Sequence, residues 1–264
     1  MEAVAQQHSD TGYKVIKANT YAQGVAKLRR TGQQPKTFKE NIEALVVAYE
    51  NGDRQLFNNW FDSCTAVVNK AYSTKFKVIP RSNYLLLIPM AFEESFLSVS
   101  YDDVQGTELD STKGKYNHLL HERDILTHRG WLEAVEKDKA LLKTYRDIIF
   151  KGFKKEEAMA FYVRQNTAQD ELRALFVNYL DDDSYAGGGN FLDNGGSFLL
   201  GSPVRGAAGA RAGKTGLENT PEELELKVRG ILSSFDKYVG SVNETKYLAE
   251  RYQAERELVA LLKK

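Results

Sequence analysis

The spacing of apolar residues follows a helical period in one part of the chain and a strand-like period after it. Thr37 can cap a helix, with Glu40 completing a capping box. The apolar residues that recur at helical spacing behind this cap are Phe38, Ile42, Leu45, Val46 and Tyr49. Asp53 can cap a second predicted helix, whose apolar face comprises Leu56, Phe57, Trp60 and Phe61. The region before the first strands is therefore predicted to be helical.

Short β-prone runs, bounded by proline and polar residues, follow these helices at 76–79, 84–88 and 96–101. Helical spacing returns over 124–150. Later strands are predicted at 158–163, 174–180 and 198–200, although 172–177 would also suit a short helix. Helices and strands ordered in this way are typical of the α+β class and not of a regular βαβ alternation. The residues that we expect to be largely buried are Phe161, Val163, Leu175, Val177, Phe198 and Leu200.

Changes in composition divide the chain into four segments. Residues 1–34 carry only a weak helical pattern and are predicted to be an N-terminal tail, followed by the main domain over 35–200. Residues 201–219 are rich in Gly, Ala and Arg, which predicts a flexible linker. A threonine cap followed by proline then starts a predicted C-terminal helical pair over 220–264. Its apolar stripes are too long to leave in water and must dock on another surface.

Charge and cysteine content narrow the class of protein. Lys+Arg and Asp+Glu balance at 36 each, so no global field attracts nucleic acid or an anionic membrane. No apolar run approaches the roughly 20 residues that span a bilayer, and the polar start of the chain lacks the apolar core of a signal peptide. The single cysteine, Cys64, excludes an internal disulfide and a Cys-based zinc site. These features predict a soluble, cytoplasmic protein.

The run from Ala208 to Thr215 resembles a loose phosphate-binding loop, with alanine in place of the first glycine. Such a loop needs a buried strand before it and a helix that starts at its lysine. Here the preceding residues are linker and Pro221 resets the helix, so a flexible basic linker is the preferred interpretation. The alternative is a nucleic-acid-binding module that uses the basic 205–214 linker. Because the net charge is zero, nucleic acid is a disfavoured partner. The dependence of nucleic-acid binding on salt concentration would distinguish the two interpretations.

Candidate metal and catalytic groups are sparse. His121 and His118 are three residues apart and, with Glu122 and His128, form a histidine cluster that could hold zinc. The stretch is polar and offers no second ligand set, so we expect an exposed helix start. The loop acids Asp102, Asp103, Glu108 and Asp110 lack the alternating spacing of a calcium loop. Cys64 is predicted near a helix C-terminus among apolar neighbours, where no thiolate is favoured. The sequence therefore predicts neither an enzyme nor a cofactor nor a metal site.

The composition of residues 178–196 is unlike the rest of the chain. Of these 19 residues, 15 are Asn, Tyr, Asp, Ser or Gly, and none is Lys, Arg or Glu, although charged residues fill 27% of the chain. An acidic surface loop would also be rich in Asn, Asp, Ser and Gly. Leu180, Ala186 and Leu192 recur every six residues, as anchors that pin a surface segment to a core would. Tyr, Ser, Gly and Asn are also favoured in antibody combining loops. The segment is therefore predicted to be a binding surface.

A longer stretch around this segment resembles a known family. The run that carries the resemblance is AMAFYVRQNTAQDELRALFVNYLDDDSYAGGGNFLDNGGSFLLGSP, and the likeness is looser back to about Trp60. It is similar to the variable proteins of diversity-generating retroelements, particularly those from archaea. In that family, adenine-directed mutagenesis rewrites codons such as AAC and AAT, which yields Tyr, Asp, Ser and Gly among others but not Lys or Glu. The resemblance implies a C-type lectin fold that presents a diversified surface to a macromolecular ligand, expected to be a protein.

The resemblance also assigns roles to individual positions. The diversified, ligand-binding positions that it implies are Asn178, Tyr179, Asp181, Asp182, Asp183, Tyr185, Gly188, Gly189, Asn190, Phe191, Asp193 and Asn194. The frame that it implies comprises Val163, Arg164, 170–177, Leu180, Ala186, Leu192, Gly196 and Phe198. Two features depart from the family pattern. Ser197 stands where an arginine is common, and about a quarter of the chain follows the variable segment, which usually lies near the C-terminus.

Overall fold

The computed structural model describes residues 13–189 and 191–200, and a seven-stranded sheet lies at the centre of this part of the chain. The strands are β1 (Lys14–Ala18), β2 (Phe61–Asn69), β3 (Lys75–Ile79), β4 (Leu97–Ser98), β5 (Thr107–Asp110), β6 (Leu120–His121), β7 (Glu157–Ala158), β8 (Phe161–Tyr162), β9 (Glu171–Val177), β10 (Ala186–Gly187) and β11 (Gly196–Leu200). The helices are α1 (Tyr21–Arg30), α2 (Phe38–Glu50), α3 (Asn83–Leu86), α4 (Glu122–Ile125), α5 (Arg129–Ala134) and α6 (Lys139–Asp147). Short 3-10 turns lie at Gln55–Asn58 and Leu180–Asp182, and a π-helical turn at Ile148–Gly152 extends α6.

The central sheet runs in the order β5-β3-β2-β9-β10-β8, and β4 adds to the end of β9. Its pairings are antiparallel except that of β8 with β10, which is parallel. β2 and β9 form its middle, with Val67 opposite Arg173 and Phe61 opposite Val177. A separate two-stranded ribbon pairs β1 with β11, and a second one pairs β6 with β7. The sheet therefore joins strands that are more than a hundred residues apart.

Apolar side chains form two cores, one on each face of the middle strands. The first core lies under α2, α5 and α6 and contains Val67, Leu175 and Trp131. The second lies under α1 and the loop after β3 and contains Ala66 and Val68. Because neighbouring residues of a strand point to opposite faces, β2 contributes to both cores and is buried along its whole length.

The helix predicted from Thr37 is confirmed as α2. The Thr37 hydroxyl accepts a hydrogen bond from the Glu40 amide at 3.1 Å, and the Glu40 carboxylate accepts one from the Thr37 amide at 2.6 Å. This reciprocal pair is the predicted capping box, and it satisfies two amide groups that the helix itself leaves without partners. The helix then packs Phe38 edge-to-face on Trp131, with ring centroids 5.5 Å apart.

The prediction of an N-terminal tail over residues 1–34 is wrong for the described residues 13–34. β1 pairs with β11 along its full length, and α1 buries Tyr21, Val25 and Leu28 in the second core. These three residues follow helical spacing, but their partners lie near residue 198, so a short local pattern gave little signal. The packing between α1 and β11 is close at Gly24, because a Cβ at this position would collide with the ring of Phe198.

Two further predicted elements are wrong. The second helix, expected after Asp53, is a 3-10 turn at Gln55–Asn58, and Phe61 already belongs to β2. A strand buried on both faces has no polar alternation, so its period cannot be told from that of a buried helix. The run 84–88, predicted as a strand, begins instead as α3. Cys64 therefore lies within a strand and not near a helix C-terminus.

The remaining elements agree with the sequence pattern in broad terms. The helical region 124–150 is present as α4, α5 and α6, and strands lie in the predicted runs around β3, β4, β8, β9 and β11. Of the residues expected to be buried, Phe161, Val163, Leu175, Val177 and Phe198 are buried and Leu200 is half-buried. The predicted linker and helical pair, residues 201–264, lie outside the described residues. In the part that is described, no helix combines the length and apolar character needed to cross a membrane.

Candidate binding surface

Residues 178–184 form a closed loop between β9 and β10. The amide of Asn178 donates to the carbonyl of Tyr185 at 2.9 Å, and the amide of Ser184 donates to the carbonyl of Tyr179 at 3.1 Å. Asp183 has a φ of 62°, in the left-handed region that Asp tolerates better than most residues. Leu180 packs against the first core. We call residues 179–184 the hairpin loop; backbone hydrogen bonds hold it at both ends, and its Asp181 is exposed.

A second stretch, residues 188–195, returns from β10 to β11 and is called the return segment. The Gly188 amide donates to the Tyr162 carbonyl at 2.8 Å, at the end of the β10–β8 pairing. The Leu192 amide donates to the Ser95 carbonyl at 2.9 Å, and its carbonyl accepts from the Tyr21 amide at 3.0 Å. Leu192 is buried in the second core. Together with the packed Leu180 and the buried Ala186, it confirms the predicted set of anchors.

The positions predicted to bind ligand differ in exposure. Exposed positions are Asp181, Phe191, Asp193 and Asn194, and half-buried ones are Tyr179, Asp183, Tyr185 and Gly189. Asn190 and the side chain of Asp182 lie outside the description. Asn178 and Gly188 are buried, contrary to the surface role expected of them. Asn178 completes the β9–β10 hairpin, and a Cβ on Gly188 would lie 2.7 Å from Val67 Cγ2, so the fold leaves no room for a larger side chain there.

Three aromatic side chains meet beside the hairpin loop, and we call them the aromatic trio: Tyr162, Phe176 and Tyr185. The Tyr185 ring stands edge-to-face to that of Tyr162, with centroids 4.8 Å apart, and to that of Phe176 at 5.7 Å. All three are half-buried. Gly187 lies among them, and a Cβ there would collide with the Phe176 ring. The absence of a side chain at residue 187 therefore gives the trio its shape.

Sequence reasoning missed Tyr162 and Phe176 because they precede the unusual segment. Phe176 lies between Leu175 and Val177, both in the first core, and Tyr162 is flanked in the same way by two core residues. Since side chains alternate along a strand, both rings project from the opposite face of the sheet. This alternation was readable in the sequence and would have placed the two rings on the face of the sheet opposite the first core.

A buried arginine lies beneath the return segment. The guanidinium of Arg173 lies 4.9 Å from the centroid of the Phe191 ring and 5.2 Å from that of Phe96. Arg173 is only 1% exposed, and it pairs with Glu171 at 3.0 Å. Burial lowers the pKa of Arg173, and the neighbouring Glu171 carboxylate opposes this shift. Phe191, which is 42% exposed, thus covers a fixed charged pair.

Acidic groups dominate the hairpin loop. Asp181 is exposed, whereas the Asp183 carboxylate forms an ion pair with Lys155 at 2.7 Å. The segment 178–196 contributes four aspartates and no lysine or arginine. The basic groups near this surface, Lys155 and Arg164, belong to other elements. The surface is therefore acidic at the hairpin loop and lies beside basic side chains at the return segment, where Arg164 lies over the Phe191 ring at 5.6 Å.

The other groups weighed in the sequence take structural roles. His128, expected at an exposed helix start, is buried; its Nδ1 accepts from the Trp131 amide at 3.4 Å and caps α5. Burial lowers the pKa of His128 to about 4 and raises that of the Cys64 thiol to about 11. His121 lies 3.3 Å from Glu157. Among residues 13–189 and 191–200, no group of three or more His, Cys, Asp or Glu side chains is arranged to hold a metal ion.

No family model matches the sequence, and no curated protein matches it. A solved structure from Nanoarchaeota, whose description is the accommodation of massive sequence variation by the C-type lectin fold, matches with a TM-score of 0.55. The two sequences are 13% identical, and the match covers 73% of this chain and 99% of that chain. Likeness at this level of identity shows the fold. The domain is therefore an α+β, C-type lectin-like domain, as the family resemblance implied.

Proposed function

We propose that this protein binds a macromolecular ligand, a protein, through a surface formed by the hairpin loop and the return segment, and that a retroelement diversifies this surface. One observation carries the proposal. Among the described residues drawn from the Asn, Tyr, Asp, Ser and Gly alphabet, eight are exposed or half-buried: Tyr179, Asp181, Asp183, Tyr185, Gly189, Asp193, Asn194 and Gly195. The apolar residues between them, Ala186 and Leu192, are buried.

Two further points support binding. Tyrosines give a large amphipathic contact area with few rotatable bonds, and the small polar residues adapt their hydrogen bonds to different partners. The Nanoarchaeota protein with the same fold is described as accommodating massive sequence variation. We extend that property to this chain and regard it as a cytoplasmic binding protein and not as an enzyme.

We limit the proposed diversified set to positions that are exposed or half-buried. We keep eight of the positions that the family resemblance implies, and the described chain places each of them at or near the surface: Tyr179, Asp181, Asp183, Tyr185, Gly189, Phe191, Asp193 and Asn194. Gly188 is dropped because Val67 occupies the space of its side chain, and Asn178 because it is buried in the hairpin.

Sequencing this gene from many cells of one population tests diversification. We expect substitutions to concentrate in the codons of the eight positions, at bases that are adenine in a nearly identical template repeat beside a reverse transcriptase gene. Codons for Leu172, Ala174 and Leu175 in β9 are the internal control and should stay constant. Substitutions spread evenly over both sets of codons, or the lack of a template repeat, would contradict the proposal.

Display of a library randomised at the eight positions tests binding. Selection against one purified protein, such as lysozyme, should enrich folded clones that bind it. A matched library randomised at eight exposed or half-buried positions of α6 and β5 should not enrich binders, because those residues lie on another part of the fold. Equal enrichment from both libraries would show that the proposed surface binds proteins no better than another part of the fold does.

A further inference from the structure

We propose that Arg164 is a constant contact within the diversified surface, where it receives a carboxylate side chain, aspartate or glutamate, of the protein partner. The inference rests on the proposed function and adds the chemistry of one contact. Arg164 lies two residues after the end of β8 and outside the segment 178–196, so the unusual alphabet could not point to it. The family resemblance placed it in the frame.

The side chain of Arg164 lies along the return segment. Its Cγ would be 3.6 Å from a Cβ at residue 189, and its guanidinium carbon lies 5.6 Å from the centroid of the Phe191 ring. The side chain is 42% exposed. Residues 189 and 191 both belong to the proposed diversified set, whereas residue 164 does not. A partner that covers these two positions therefore meets the same arginine in every version of the surface.

The guanidinium of Arg164 has hydrogen-bond donors to offer. One carboxylate oxygen of Glu171 accepts from two nitrogens of Arg173, each at 3.0 Å, and Arg164 Nε lies 3.9 Å from the same oxygen. That distance suits an ion pair but is too long for a hydrogen bond. Within residues 13–189 and 191–200, the Arg164 guanidinium makes no hydrogen bond. Its five N–H groups form a planar fork that matches the two oxygens of a carboxylate.

The local charge also favours an anion. Burial lowers the pKa of Arg173, and the positive charge of Arg164 lowers it further, so the two guanidinium groups repel each other. The Glu171 carboxylate, whose side chain is 9% exposed, opposes these effects, and Asp193 opposes them as well. A partner carboxylate at Arg164 would relieve this repulsion. Asp193, which is exposed, is the acid of this surface that competes with it.

The Phe191 ring distinguishes Arg164 from an ordinary surface arginine. A ring contacts the face of a guanidinium, whereas the N–H donors lie in its plane and stay available. The ring also shields the charge from water, and a charge that is partly shielded binds an opposite charge more strongly. Arg123 in α4 offers the comparison, because it is exposed and, in the described part of the chain, has neither a ring beneath it nor an ion pair.

A titration with sodium acetate, followed by the side-chain Nε–H NMR signals of the full chain, tests the inference. Arg164→Gln and Arg123→Gln assign the two signals by their loss, and sodium chloride keeps the ionic strength constant. We expect acetate to bind at Arg164 about fivefold or more tightly than at Arg123. Acetamide, which has a similar shape without the charge, should shift neither signal. Equal acetate affinity at the two arginines, or equal shifts with acetamide, would overturn the inference.

Variants of the neighbouring side chains add an independent arm. Phe191→Leu removes the ring, so the acetate affinity of Arg164 should fall to that of Arg123. Asp193→Asn removes the competing acid and should raise the affinity, whereas Asp102→Asn, at an exposed acid on another part of the fold, should leave it unchanged. An unchanged affinity in both the Phe191 and the Asp193 variant contradicts the inference. If a variant fails to fold, the comparison of the two arginines on the unaltered chain still decides.

A protein partner supplies the last arm. Clones of the library randomised at the eight positions are selected against ovalbumin, an acidic protein, and Arg164→Gln is then introduced into each binder. We expect the affinity to fall about tenfold or more, because the partner's carboxylate loses its cation. Arg123→Gln in the same clones should leave the affinity unchanged. Binders that tolerate both substitutions equally well would show that Arg164 is not a contact.

The two proposals fail separately. A gene without variation at the eight positions contradicts diversification, while preferential acetate binding at Arg164 would still stand. Conversely, a diversified surface whose Arg164 binds acetate no better than Arg123 keeps the proposed function and loses the carboxylate contact.

Discussion

The β2–β9 pair and the segment 178–196 differ in how far the fold constrains their side chains. β2 is buried along its whole length and supplies both cores, so each of its side chains has fixed neighbours. The segment next to it touches the cores mainly through Leu180, Ala186 and Leu192. In the middle of the sheet the backbone and the side chains are both constrained. In the segment the backbone is also held by hydrogen bonds, whereas side chains such as Asp181, Asp193 and Asn194 are exposed. This difference shows that a fold can fix the backbone without fixing every side chain, and that the change can occur within a few residues.

The largest difference is expected between two phenylalanines. Phe161→Ala removes a fully buried ring of the first core and should lower the free energy of unfolding by about 3–5 kcal/mol. Phe191→Ala removes a ring that is 42% exposed, and we expect a loss of about 1 kcal/mol or less. Urea unfolding of both variants beside the wild type measures this. Equal losses would show that the return segment belongs to the core.

Two neighbouring glycines sharpen the boundary. Gly188→Ala places a Cβ 2.7 Å from Val67 Cγ2 and should cost about 1–3 kcal/mol through overpacking. The nearest atom to a Cβ at Gly189 is Arg164 Cγ at 3.6 Å, an ordinary contact, so Gly189→Ala should stay within about 0.5 kcal/mol. Thermal melting of the pair compares a position that the fold fixes with one that it leaves open. The assignment of Gly188 to the fixed frame fails if both variants melt alike.

Mild acid is expected to lower the free energy of unfolding through a buried histidine, His128. The pKa of His128 is lowered from an ordinary 6.5 to about 4 in the folded protein, because burial disfavours its charged form. Below pH 6.5 the unfolded chain binds a proton that the folded chain does not, so stability is full above that pH and falls towards pH 4. Between pH 7 and pH 5 the loss should be about 2 kcal/mol. Urea unfolding at both pH values checks this, and His128→Gln should flatten the dependence. An equally steep dependence in that variant would assign the effect to other groups.

The smallest effect is expected in the hairpin loop. Asp183→Asn breaks the ion pair with Lys155, but both side chains are partly exposed, and such pairs contribute about 1 kcal/mol or less. Asn also tolerates the left-handed backbone at this position. Thermal melting at low and at moderate salt measures the change, and salt should reduce the difference between variant and wild type. A loss as large as that of Gly188→Ala would make Asp183 part of the frame.

The sequence predicted those parts of the fold whose signals are local. The cap at Thr37 and Glu40, the anchors at six-residue spacing and the strands β9 and β11 all follow from short patterns. β1 and α1 were missed because their partners lie near residue 198, and β2 because a strand buried on both faces loses its alternation. At the candidate surface, the unusual alphabet located the loops. It could not show that Gly188 touches Val67, since that contact joins strands more than a hundred residues apart.

The ribbon of β1 and β11 has a consequence for how each copy of the protein is made. β1 leaves the ribosome long before its partner, residues 196–200, which emerges only after residues 178–195. Such distant pairing closes late in folding, and an open strand edge invites pairing with other chains until it closes. If residues 178–195 cannot bring β11 into register with β1, the edge of β1 stays unpaired. For the diversified surface that we propose, a version that prevents this pairing is open to aggregation or proteolysis during synthesis, before it can meet a ligand.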